Sequence, residues 1–495
     1  MKTYLVRGVP ASIQLDSWWM DGAPPRPPAG KTGQRMHRNW AAPVALAGLI
    51  SLADFLLWQV MPGLSLSVFG FCLLLAGLGA TGGRGWGGVI LGGVLFLPVI
   101  EQVQVLSLLF WLAGILLGGA WLALGGWPGT RQLTSGAIRL LALGPLHALR
   151  DMGGLLAFGR KGLPATDRMQ GLVLGWALPL GLGLIFLSLL LEANPVIEDW
   201  LRRLDRMGLP DMSRIFFWAG MALVIWPFVI LPGLRGQLLA KTRSVLIGPR
   251  QLPRILNDRA VRRSLFLFNL LFAVQTVMDA TFLWGGAALP HGMNYAEYAH
   301  RGAYPLLVTA LLAGLFALVA RPYTGNDALV RLALLAFVAQ NMLLVGSSLL
   351  RLELYVEAYG LTRLRMAAAI WMGLVAVWLA MILWQIVNRQ SAGWLLARSL
   401  VLGLTLVYAC MFVSFDRTIA RYNLSHDVPL DAWYICNLGP AALPEILAYE
   451  RQKARSLCVS SYPYLRKIDD WREWGFRDWR VFRSLGVMQS TGAAP

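Results

Sequence analysis

Long apolar runs, broken by short polar or glycine-rich connections, dominate the chain from residue 41 to residue 414. Crossing the hydrocarbon core of a bilayer takes roughly 20 mostly apolar residues, because about 30 Å must be covered at about 1.5 Å per residue with every backbone group satisfied inside the helix. About eleven stretches meet that requirement, at 41–60, 64–80, 86–100, 104–124, 172–191, 214–234, 265–286, 303–320, 328–350, 366–387 and 395–414. The second and third are short and glycine-rich, separated only by the turn at 81–85. The pattern predicts an all-α fold, a polytopic membrane helical bundle with a small extramembrane C-terminal segment. It divides the chain into a flexible Pro-rich arm (1–40), a four-span module (41–124), a basic loop (125–171), a seven-span core (172–414) and a C-terminal segment (415–495).

Lys and Arg orient these spans, since short loops rich in them stay on the cytoplasmic side. Lys31, Arg35 and Arg38 precede the first span, whereas the turn after it, 61–63, carries no charge. The N-terminus is therefore expected in the cytoplasm. The basic loops at 125–171 and 235–264 fall on the same side, and an odd number of spans puts the C-terminal segment on the outer, periplasmic face. Composition agrees: 57% of the 495 residues are hydrophobic and only 14% charged, with a mean hydropathy of +0.56. The formal charge of +18 would suit a nucleic-acid binder, but its concentration in inward loops is what topology and anionic headgroups require. No nucleic-acid partner is expected. The N-terminal arm, with Pro24, Pro25, Pro27 and Pro28, has no apolar region followed by a cleavage site, so no cleavable signal peptide is expected.

Of the four cysteines, Cys72 and Cys410 lie in spans and Cys436 and Cys458 in the tail. On an oxidising face the tail pair would close a loop worth on the order of 3 kcal/mol to a small domain. Two unrelated thiols remain the alternative. Pro444 and the residues after it read as a helix. In the stretch 469–483, Trp471, Trp474, Trp479 and Phe482 recur near helical spacing among charges, which suits either a headgroup-plane helix or packing on the tail domain.

Familiar reaction chemistries find no motif here. Gly83, Gly85 and Gly88 form a GxGxxG, but between membrane spans rather than after a strand. Gly88 with Gly92, and Gly114 with Gly118, are instead pairs suited to close helix packing. There is no HExxH, CxxC, GxSxG or Walker A motif, and the five histidines are scattered. Neither metal nor cofactor is expected, and enzyme activity is the less favoured reading.

The polar residues that stand out lie toward the outer face. Asp279 sits inside a span, where a carboxylate must be protonated, paired or wet, and Gln275 lies one turn below it. The loop that follows carries Tyr295, Glu297, Tyr298, His300 and Arg301, and Gln340 and Asn341 lie at depth in the ninth span. In RLELYVEAYGLTRLR, Arg351, Tyr355, Tyr359 and Arg363 recur every four residues beside Glu353 and Glu357. A helix there would show a basic aromatic stripe beside an acidic one, able to hold an anionic headgroup or solute through its arginines or to transfer protons through its carboxylates, or one that only anchors at the interface. The candidate polar site is Asp279, Glu297, His300, Arg301, Arg351, Tyr355, Glu357, Tyr359 and Arg363.

The segments FNLLFAVQTVMDATFLWGG, LPHGMNYAEYAHRGAYPLL, LELYVEAYGLTRLR and ARYNLSHDVPLDAWYICNLGPAALPEIL, in that order, resemble a family of bacterial multi-pass membrane proteins catalogued as a domain of unknown function. The resemblance covers approximately residues 170–450, without the first four spans or the Trp-rich end. It implies a bacterial inner (cytoplasmic) membrane and carries over no catalytic residue. The expectation is a protein that handles a solute or lipid through an outward-facing polar site. The alternatives are an envelope sensor or scaffold that meets a protein partner through residues 415–495, and a membrane-embedded transferase.

Overall fold

The computed structural model describes residues 41–157, 212–239, 258–285, 309, 311–318, 320, 327–459, 462–466, 468 and 470–490. Every regular element among them is helical. The first five are α1 (Ala41–Leu57), α2 (Leu64–Ala80), α3 (Trp86–Glu101), α4 (Val105–Leu124) and α5 (Thr130–Ala157). Next come α6 (Met212–Val229), α7 (Leu231–Leu239) and α8 (Asp258–Met278), which runs on into a π-helical turn at Asp279–Trp284. The long helices α9 (Ala328–Tyr359), α10 (Arg363–Val387) and α11 (Ala392–Cys410) follow. The tail holds α12 (Phe415–Ser425), α13 (Ala432–Cys436), α14 (Leu443–Lys453) and α15 (Phe476–Ser490).

Five helices are long and apolar enough to cross a membrane, at Val105–Leu124, Arg259–Trp284, Ala328–Tyr359, Arg363–Val387 and Ala392–Cys410; α6 with α7 would make a sixth. Five of the eleven expected spans coincide with these. Those at 41–60, 64–80 and 86–100 are shorter apolar helices. The one at 214–234 is interrupted between Val229 and Leu231, beside Pro227 and Pro232, neither of which can donate a backbone N–H to a helix ladder. The stretch 172–191 lies outside the described residues, as do 303–308, 310 and 319 of the expected span at 303–320, the arm, and the loop with Glu297, His300 and Arg301. Of the basic loop 125–171, residues 130–157 are helical.

The chain forms two compact units, residues 1–52 with 145–230 and residues 53–144 with 231–495. Within the first, the Trp226 indole N–H donates to Asp151 Oδ2 at 2.9 Å. The second unit carries everything below. Its α3 and α4 touch through their glycines: a Cβ on Gly88 would stand 2.6 Å from the Gly118 carbonyl oxygen, and one on Gly118 2.8 Å from that of Gly88. Close backbone approach of this kind is how helices gain van der Waals contact where lipid offers no hydrophobic drive. A second core joins α8, α9 and α10 through Leu265, Leu334, Phe337, Val345, Leu379 and Ile382. Phe337 meets Phe272 and Phe316 edge-on. The outer faces of these helices stay apolar and uncovered, with Phe266 75% and Leu329 72% exposed. Contiguous apolar surface on that scale has no place in water; these are the features of a membrane protein.

Within the second unit, residues 415–458 gather around a small apolar cluster of Ile419, Ala420, Ile435, Leu438, Ala442 and Ile446. Cys436 and Cys458 are joined by a disulfide with a Cα–Cα distance of 5.7 Å. Arg417 bridges α12 to Glu445 of α14 at 2.8 Å.

Candidate functional site

The tail closes one end of the second unit. At that end lie the turns between α1 and α2, between α3 and α4 and between α9 and α10, with the C-terminus of α11. Glu473 accepts from the Met61 N–H at 3.1 Å, and the Leu64 N–H donates to the Trp474 carbonyl at 2.9 Å. Asn423 of α12 secures the α9–α10 turn from both sides, accepting from Leu361 N at 2.6 Å and donating to Leu361 O at 2.8 Å. Gly360 makes that turn with φ +76°, and a Cβ there would stand 2.9 Å from Asn423 Oδ1.

Glu101, the last residue of α3 and 5% exposed, is the charge on which α15 docks. It accepts from Arg477 Nε at 3.1 Å and from Arg480. A carboxylate at a helix C-terminus faces the negative end of the dipole, so these guanidinium groups compensate an otherwise unfavourable position. Arg477 also donates to Gln102 Oε1 at 2.7 Å, to the Met411 carbonyl at 2.6 Å and to that of Val413 at 3.2 Å. One side chain thus ties α3, α11 and α15 together.

Beneath this junction lies a cavity of about 570 Å³, within the range of about 300–1,000 Å³ common for small-ligand sites. Its lining is two-sided. Met366, Ile370, Trp371 and Leu374 of α10 and Leu406 and Val407 of α11 form an apolar wall. Gln102, Gln104, Arg363, Asp416, Arg477 and Asp478 form the polar end. Arg363 Nε donates to Asp416 Oδ1 at 2.7 Å, and Asp416 Oδ2 accepts from Gly439 N at 3.0 Å. Burial pushes the Asp478 carboxyl above the usual carboxylate range, with Arg477 and Arg466 pulling the other way.

Asp279 and Arg351 form a separate buried ion pair, 2% and 3% exposed, between the π-helical turn and α9. Gln275 Nε2 donates to the same Asp279 oxygen at 2.9 Å, while Asp279 Oδ2 is buried without a hydrogen bond among the described residues. The turn is widened by the i→i+5 bond from Gly285 N to Ala280 O, 2.9 Å, a geometry that recurs at functional sites. Among the described residues no three His, Cys, Asp or Glu side chains converge as metal ligands.

The family profile described as "Domain of unknown function (DUF4153)" matches residues 41–449. The chain belongs to the DUF4153 family. No curated protein and no solved structure matches it. The match takes in the first four helices, which the four ordered motifs did not reach, and ends before α15.

In this DUF4153 chain the sequence-derived candidates fall in different places. Asp279 and Arg351 meet; Arg363 is elsewhere. The four-residue stripe does not continue through the segment, because α9 ends at Tyr359, Gly360 turns the chain, and Arg363 opens α10 behind the Thr362 cap. Tyr355 and Tyr359 lie under Arg365, whose guanidinium is 4.3 Å and 6.0 Å from their ring centres. Glu357 is exposed. Sequence reasoning missed Asp416, Glu101, Arg477 and Asp478. The charged, Trp-rich character of 469–483 was visible, but its partners lie 375–376 positions away for Arg477.

Proposed function

We propose that this DUF4153 protein is a bacterial inner-membrane protein of about eleven spans, with its N-terminus inside and residues 415–495 outside, that holds an amphipathic ligand in the cavity between α10 and α11. A lipid or lipid-like solute is the class that suits it. The observation that carries this reading is the two-sided lining: an apolar wall on helices long enough to cross the membrane, and a charged end where the tail closes the bundle. The basic inner loops and the single disulfide in the tail support the orientation. The length of α9 supports the depth: its 32 residues extend about 48 Å at about 1.5 Å each, against about 30 Å of hydrocarbon, which leaves Glu353, Tyr355, Glu357 and Tyr359 at headgroup level.

A cavity-filling variant tests it. Ala367→Trp, on the cavity wall, should leave the folded protein intact in detergent and deplete the lipid that co-purifies with it, measured by mass spectrometry of the extracted protein. An unchanged lipid complement would remove the proposal. A second reading, docking of a protein partner on the tail, has in its favour the exposed Trp433, Val459 and Tyr464, at 75%, 90% and 81%. Trp433→Ala should then release a co-purifying protein, and an unaltered partner set would count against it.

A further inference from the structure

The polar end of the cavity constrains the headgroup. Arg363 spends its Nε–H on Asp416, and its terminal N–H groups make no hydrogen bond among the described residues. Asp416 uses both oxygens, one on Arg363 and one on Gly439 N, so it fixes the guanidinium rather than competing for a ligand. A guanidinium held in this way presents a fork that matches a phosphate. Arg477 offers no such fork, because all of its nitrogens are committed to Glu101, Gln102, Met411 and Val413.

Asp478 lines the same cavity and makes neither a hydrogen bond nor an ion pair among the described residues. A half-buried carboxyl that feels Arg477 and Arg466 only at longer range and has no direct contact with either still gains from an incoming cation. Around it the charges balance. Arg363 pairs with Asp416, Arg477 and Arg480 share Glu101, and Arg466 pairs with Glu473, so that with Asp478 counted the formal charges of this set cancel. A net anion seated here would leave a charge uncompensated beside Asp478, whereas a zwitterion would complete both ends.

We propose that the cavity takes a phospholipid with a zwitterionic, amine-bearing headgroup, its phosphate on Arg363, its ammonium on Asp478 and an acyl chain along Met366, Ile370, Leu374 and Leu406. This rests on the lipid-binding reading above. It also says which lipids are refused: anionic ones with no amine.

The full-length protein, reconstituted in nanodiscs of equal phosphatidylethanolamine and phosphatidylglycerol and then re-extracted, should retain the former over the latter. One charge-assisted bond gained or lost corresponds to a preference of roughly tenfold. Asp478→Asn should abolish that preference while lipid is still retained, and Arg363→Gln should lower retention of both lipids. Retention in bulk proportion by the wild type, or a preference that survives Asp478→Asn, overturns the headgroup assignment alone. Absence of any lipid that Ala367→Trp displaces overturns the lipid-binding reading with it. Soluble phosphoethanolamine competing as well as the intact lipid would show a small zwitterion to be the ligand and would overturn the acyl-chain contact. The wild-type preference is read without any variant, so a misfolded Asp478→Asn leaves the assignment refutable; Asp478→Glu, which keeps the carboxylate, should retain the preference.

Discussion

Replacing Glu101 with Gln tests the joint on which the tail is held. The substitution keeps the shape and one acceptor oxygen but removes the charge that meets Arg477 and Arg480. Taking one partner from a buried pair costs about 3–5 kcal/mol when the other charge is left enclosed. Here that figure is reduced, because the Arg480 side chain is 40% exposed and its share is screened by water. Arg477, 13% exposed, keeps Gln102 and two carbonyls as acceptors. The expected loss is therefore about 2–3 kcal/mol, or roughly a 30- to 150-fold rise in the opening equilibrium of α15. Hydrogen exchange in detergent reads this directly: amides of 476–486 should exchange faster by that factor, while those in the middle of α9 keep wild-type protection. A double variant with Arg477→Gln should fall short of the sum of the two single losses by at least about 1 kcal/mol. Unaltered protection across α15, or additive losses, would refute the claim that Glu101 holds the tail.

The Asp279–Arg351 pair should behave as a buried ion pair: Asp279→Asn lowers thermal stability by about 3–5 kcal/mol, and Asp279→Leu with Arg351→Met restores most of it, as read by unfolding in detergent. A double variant no better than the single one would speak against the pairing. Opening the disulfide with Cys436→Ser and Cys458→Ser, across a separation of 22 residues, should cost the tail about 3 kcal/mol, and reductant should erase the difference from wild type. In lipid-free detergent, Asp478→Asn should stabilise the docked tail at neutral pH. Burial raises the folded-state pKa of Asp478, so the folded chain holds that proton more tightly, and ionisation opposes docking above the raised value. The advantage of Asn should fade as pH falls through that value and vanish below the ordinary carboxylate pKa; a gain independent of pH would contradict the burial.

Features whose signal lies within about 20 residues were legible in the sequence. Apolar runs marked α4, α9, α10 and α11 because a helix satisfies its own backbone and needs no partner to declare itself in lipid. The glycines of α3 and α4, spaced four apart, announced a close contact, and Pro444 opened α14 near where a helix start was read. Asp279 stood out because a carboxylate in a span has to be answered, although which residue answers it, Arg351 72 positions on, was not readable. The stripe through Arg363 failed at one backbone angle: Gly360, turned by Asn423 across the tail, sends the chain back on itself and delivers Arg363 to Asp416. Glu101, Arg477 and Asp478 were anonymous in the sequence. Their roles come from packing α15 against the ends of α3 and α11, and a charge takes its meaning from the charges folding brings within a few ångströms of it. Sequence alone determined which segments are apolar enough to leave water; only the tertiary structure decided which charges meet at the closed end and leave a two-sided cavity between them.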